Sequence, residues 1–181
     1  ATVGAFPLAP GSRDAALLVH LPAGLYSLQV SSASDQTGVA LAEIYETDHD
    51  GRAVNFSARG PVRNGNGLLI GGLVIDGTAP RTVLVRAVGP TLSTAGVAQP
   101  LADPVLTLYA GANIVTSNDD WGAVNPTAIA GAAAAVGAFA LPDGSKDSAL
   151  LVTLDPGIYT ILIQSKGEDH GVALAEVYEV P

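Results

Sequence analysis

The sequence predicts an all-β protein made of jelly-roll-like β-sandwich lobes, with an internal repeat and at most one short helix. Three observations predict it. The segment 3–48 recurs as 136–181 at a constant offset of 133 with no gap, and about half of the aligned positions are identical. Self-similarity at a fixed spacing marks repeated supersecondary units. Short apolar runs alternate with Gly, Pro and Asn punctuation along most of the chain, as strands joined by turns do. The composition is 48% hydrophobic and only 14% charged, with 21 Gly and 12 Pro, which excludes disorder and fits many short strands.

Each repeat copy reads as three strands. Val-Gly-Ala-Phe at 3–6 returns at 136–139, and Ala-Leu-Leu-Val at 16–19 returns at 149–152. Gly-Val-Ala-Leu-Ala-Glu at 38–43 returns at 171–176, followed by Tyr45 and Tyr178. The apolar runs 17–21 and 150–154 are first strands, ended by the turns Pro-Ala-Gly at 22–24 and Asp-Pro-Gly at 155–157. Pro presets φ in such turns and Gly tolerates positive φ. The next strand alternates, with Tyr159, Ile161 and Ile163 on one face and Thr160 and Gln164 on the other; Leu162 breaks the pattern. A polar loop at 165–170 leads to a last strand at 171–180. Between the copies, strands are expected at 53–58, 68–75, 82–88, 105–109 and 114–117, separated by turn signals at 64–67, 76–77 and 89–90. A helix is expected at 126–136, opened by Pro126. Gly71-Gly72 inside a strand pattern predicts a bulge or close packing. The expected division is into two lobes, 1–100 and 101–181, each one repeat copy with its neighbouring strands.

Charge and composition exclude several functions. The net charge is −9 and the chain has two lysines, Lys146 and Lys166. Nucleic acid and anionic membrane need basic patches, so neither is an expected partner. The apolar stretch 131–141 is too short for a bilayer span, which needs about 20 residues. With no Cys, no disulfide or thiolate metal site is possible. A sequence that begins at Ala1 and lacks Met is expected to have lost a leading segment, and a cleaved secretion signal fits. An extracellular or cell-surface location follows as the expectation.

The stretches 103–109 (Asp-Pro-Val-Leu-Thr-Leu-Tyr), 117–122 (Ser-Asn-Asp-Asp-Trp-Gly) and 149–161, which contains Asp-Pro-Gly-Ile-Tyr, resemble the pre-peptidase C-terminal type of β-sandwich. The stretches 52–60, 69–75 and 83–90 are similar to the opening strands of a repeat found in large secreted bacterial surface proteins. The resemblance covers nearly the whole chain. It implies a jelly-roll-like sandwich with surface, adhesion or assembly roles, and it implies no catalytic residues.

Candidate chemistry is sparse. Asp103, Asn118, Asp119 and Asp120 offer the oxygen ligands Ca²⁺ takes, but no complete ligand loop of EF-hand type is present, and turn and capping chemistry explains the same residues. No cofactor is therefore required, calcium being the one candidate. The run 48–51 is a similar but lesser cluster. His20 aligns with Thr153 and His170 with Thr37, so neither repeats as a ligand, and His49 lies in the linker. Glu43 and Glu176 occupy matching positions in apolar last strands and predict a hydrogen-bonded or rim position. Asn55-Phe56-Ser57 is a glycosylation sequon. Trp121 is the candidate for carbohydrate stacking, against the commoner packed position. There is no His-Glu-x-x-His, no Gly-x-Ser-x-Gly elbow and no phosphate-binding Gly loop, so the chain is expected not to be an enzyme. The expected function is an extracellular structural module, a self-assembling filament or surface-layer subunit whose partner is itself, joined head-to-tail by strand complementation. The alternative is a carbohydrate- or calcium-binding accessory module of a larger secreted protein, with surface polysaccharide as partner.

Overall fold

Alternating apolar side chains pleat into a strand with one buried face, and the eight strands found among the described residues all lie in the second of two compact units. The computed structural model describes residues 3–34, 36–48, 51–63, 65 and 67–181. The units are Ala1–Ala53 and Val54–Pro181. The second holds β1 (Asn55–Val62), β2 (Leu69–Ile75), β3 (Arg81–Val88), β4 (Pro104–Ala110), β5 (Asn113–Asn118), α1 (Pro126–Ala135), β6 (Ser148–Leu154), β7 (Gly157–Ser165) and β8 (Gly171–Glu179). Short 3-10 turns at Pro90–Ala95 and Trp121–Ala123 precede β4 and α1.

The strands make two antiparallel four-stranded sheets, ordered β1-β8-β3-β6 and β2-β7-β4-β5. The core between them is built from alternate positions: Val83, Val85 and Ala87 of β3 face Leu106 and Leu108 of β4 and Tyr159, Ile161 and Ile163 of β7. The β7 face set is the one the alternation predicts, and the exception Leu162 is half-buried on the opposite face. The β1-β8-β3-β6 sheet is covered on its outer side too. Leu84 and Val88 pack there with Leu92, Trp121, Ile129 and Ala133, so β3 is buried on both faces and reads as a continuous apolar run.

Three expectations are corrected in detail. The boundary near residue 100 does not coincide with the structural division, because β1 and β3 pair with β8 and β6 across it. Gly71 and Gly72 sit in regular register opposite Ile161 and Thr160, and the register shift lies instead at Leu108/Tyr109. The first unit has no helix or strand among its described residues, so the strands expected at 17–21 and beyond are not formed there. His49 lies outside the described residues.

Candidate metal centre

The β4–β5 hairpin gathers the acidic residues. Its register sets Leu106 opposite Asn118, so Asp103, just before β4, meets Asp119 and Asp120, just after β5. One carboxylate oxygen from each of these three lies within 4.8 Å of the others. Oxygens bound 2.3–2.6 Å from one Ca²⁺ lie at most about 5 Å apart, so the spacing fits a single ion. The Oδ1 atoms of all three are shielded from solvent and have no hydrogen-bond partner. Burial raises the Asp103 carboxyl above its ordinary value, with the Asp119 charge adding to the effect and Lys166 and Lys146 opposing it.

The outer oxygens are occupied by the chain's two lysines. Lys146 Nζ donates to Asp120 Oδ2 at 2.8 Å, and Lys166 Nζ donates to Asp119 Oδ2. These contacts raise both lysines' pKa values, chiefly through the hydrogen bonds themselves. The pairs are exposed ones and carry little stability. Three carboxylates against two ammonium groups leave the corner negative.

Asn118 is held at both ends of its amide. Its Oδ1 accepts from the Ala149 N–H at 3.0 Å and its Nδ2 donates to the Asp120 carbonyl at 3.1 Å. Ser148 Oγ bonds the carbonyls of Pro104 and Asp119. Together these tie the start of β6 to the acidic hairpin. Trp121 is only 5% exposed. Its Nε1 donates to the Pro142 carbonyl and Ser145 Oγ at 3.1 and 3.2 Å, so it has no open face for a sugar to stack on. Asn55 opens edge strand β1, and its amide nitrogen donates to the Val177 carbonyl at 3.1 Å; a glycan on that nitrogen would replace this bond.

Sequence reasoning missed Arg86. It is fully buried under the outer layer, with Nε donating to Glu176 Oε2 at 2.8 Å and Nη1 to the Phe139 carbonyl. The guanidinium lies 4.2 Å from the Phe139 ring centroid and 5.7 Å from that of Tyr178. Tyr178 donates its hydroxyl to Glu176 Oε1 at 2.8 Å, and burial, then this bond, pushes its pKa up to about 12. An Arg inside the apolar run 83–88, with a Glu inside the apolar run 171–177, was the available signal. A second buried charge, Asp147, accepts from the Gly89 N–H at 2.8 Å, from the Thr91 hydroxyl and from Ser145 Oγ at 2.7 Å. The cavity beside Arg86, under α1, has a volume of about 90 Å³, well below the several hundred Å³ of an ordinary ligand pocket.

No protein-family model matches the chain, and no curated protein matches it. Among solved structures, the chain is similar to the pre-peptidase C-terminal domain of a collagenase from Bacillus anthracis. The identity is 9%, the TM-score 0.42, and the match covers 68% of this chain and 89% of that one.

Proposed function

We propose that the protein is a non-catalytic, extracellular β-sandwich module whose β4–β5 corner binds Ca²⁺. The observation that carries the reading is the convergence of Asp103, Asp119 and Asp120 with their Oδ1 atoms shielded and unpartnered. Such oxygens cost free energy unless something satisfies them. Three carboxylates plus water suit a hard cation held with the modest affinity of extracellular modules, which work at about 10⁻⁴–10⁻³ M. Extracellular placement is supported by the absence of Cys and Met and by the acidic balance.

The test is thermal melting in excess Ca²⁺ against chelator, for the parent chain and Asp103→Asn. In chelator the variant melts at or above the parent, since it removes a carboxylate whose ionisation burial opposes. In Ca²⁺ the parent gains, by about 2.7 kcal/mol at a hundredfold excess over Kd, and the variant does not. Equal Ca²⁺ responses in the two chains would rule the site out.

Self-assembly into a filament or surface layer by strand complementation is the other reading, favoured by the large exposed apolar side chains of the first unit, among them Leu17 and Leu25. A monomer at high concentration by sedimentation removes this reading; a concentration-dependent polymer restores it.

A further inference from the structure

We infer that residues 3–48 are a docking element, the last three strands of a sandwich, and that their partner is a sandwich body of this repeat that ends before its sixth strand. The inference does not rest on the cation site, and its test contains no metal.

The aligned positions carry the argument. In β6 and β7, Leu150, Tyr159, Ile161 and Ile163 are buried against the opposite strands; 133 residues earlier stand Leu17, Tyr26, Leu28 and Val30, all apolar. In the first unit these side chains are exposed, Leu17 by 81%. The polar replacements fall away from the core, where exposed Thr153 matches His20 and half-buried Leu162 matches Gln29, while at buried Ile161 and Ile163 the matching Leu28 and Val30 stay apolar. Leaving several large apolar side chains in water forgoes about 1.5–3 kcal/mol each.

Local structure is already shared. Tyr26 donates its hydroxyl to the Pro22 carbonyl at 2.7 Å, as Tyr159 does to Asp155 at 2.9 Å. Tyr45 donates to Glu43 Oε1 at 2.9 Å, as Tyr178 does to Glu176 at 2.8 Å. The turn closed by Ser12 N–H on Ala9 matches the one closed by Ser145 N–H on Pro142, each at 3.0 Å. Gly11 and Gly144 follow the same left-handed path in the two turns, with φ of 78° and 71°.

These matches specify the partner's chemistry. Glu176, Tyr178 and Phe139 enclose Arg86 of β3. Glu43, Tyr45 and Phe6 occupy the three matching positions, and on docking the cation between them would be the partner's counterpart of Arg86. Asp14 stands where Asp147 accepts from Gly89 and Thr91, so the partner also brings a turn whose N–H and hydroxyl groups point inward. A body such as 54–135 provides both, and the edges it offers to β6–β8 must be vacant. In Val54–Pro181 they are filled by the chain's own strands, so the partner is a body without its own last three.

The test keeps the full-length chain and replaces residues 136–181 with a second copy of 3–48. Every set of last strands then has the sequence of the docking element. Trp121, whose indole hydrogen-bonds into the replaced segment, reports completion by its emission and near-ultraviolet circular dichroism. We expect a β-type spectrum, a buried Trp and a cooperative melt, with Glu43→Ala in both copies lowering the midpoint as Glu176→Ala does in the parent. An unfolded replaced chain would overturn the inference. So would a folded one indifferent to Glu43→Ala, since the carboxylate would then meet no partner cation.

Discussion

Removing Glu176 leaves the fully buried Arg86 guanidinium without its counter-charge. Both Oε atoms of Glu176 are engaged, one by Arg86 and one by Tyr178, and Arg86 has no solvent to turn to. Breaking a buried pair from one side costs about 3–5 kcal/mol. The second unit spans about 130 residues, and at roughly 2.1 cal/mol/K per residue its unfolding entropy is about 0.27 kcal/mol/K. The midpoint of Glu176→Ala should therefore fall by about 11–19 °C. The double variant Arg86→Leu/Glu176→Leu removes both charges and their desolvation together. It leaves the Phe139 carbonyl and the Tyr178 hydroxyl short of a partner, about 1–3 kcal/mol for each buried group, while apolar replacement of a buried pair is often neutral or better. The double variant should melt above Glu176→Ala. Calorimetry or circular dichroism melts at neutral pH in matched buffer measure both. If the double variant melts at or below the single one, the two charges are not a coupled pair, and the electrostatic account of this site fails.

Other outcomes follow from single side chains. Tyr178 binds its proton more tightly folded than unfolded, so its stabilising contribution is present below about pH 10 and lost as pH rises toward 12; alkaline melts of Tyr178→Phe should decline less steeply over that window than those of the parent. At Gly89 an added Cβ would lie 2.2 Å from the Leu101 carbonyl oxygen, whereas at Gly122 it meets nothing within 4 Å; Gly89→Ala should lower the midpoint clearly and Gly122→Ala hardly at all. Asp147→Ala strips the acceptors from Gly89, Thr91 and Ser145 and should cost several kcal/mol in denaturant titration, at about 1–3 kcal/mol per buried unsatisfied donor.

Local structure was legible where periodicity or turn chemistry decides it. Tyr159, Ile161 and Ile163 declared the inner face of β7, and Pro126 declared the first turn of α1. Pairing was not legible, because period-2 alternation says which face is buried and nothing about the neighbour. β8 pairs with β1 and β3, and that arrangement draws strands expected in separate lobes into one sandwich. The sequence match between 3–48 and 136–181 obscured the division, since the first segment forms no strand among its described residues and the second supplies β6, β7 and β8. The acidic corner was half legible. The adjacent Asp119 and Asp120 were visible, but Asp103 joins them only through hairpin register, and Asn118 is held by a backbone N–H that no local pattern reveals. Trp121 could be placed only by the outer layer of α1 and the flanking turns.

The corner that gathers the acidic residues is also where the body meets its last three strands, and this yields a final outcome. Ser148 and Ala149, at the start of β6, bond the hairpin that carries Asp119 and Asp120, and Lys166, beyond β7, reaches Asp119. In the first repeat copy the residue matching Lys166 is Ala33. Under the proposed Ca²⁺ binding, Lys166, which already holds Asp119, would oppose the incoming cation by like charge. Lys166→Ala should lower the midpoint in chelator, where the three carboxylates repel with one cation fewer. It should also enlarge the rise produced by saturating Ca²⁺, because the ion no longer displaces an ammonium group. Titrating the midpoint against Ca²⁺ separates the two effects, and the half-saturating concentration should fall in the variant. Raising ionic strength should shrink the chelator effect, since the Lys166–Asp119 pair is exposed and screened within about 10 Å at 0.1 M salt. A variant whose Ca²⁺ response matches the parent's would show that the lysine and the ion do not share Asp119.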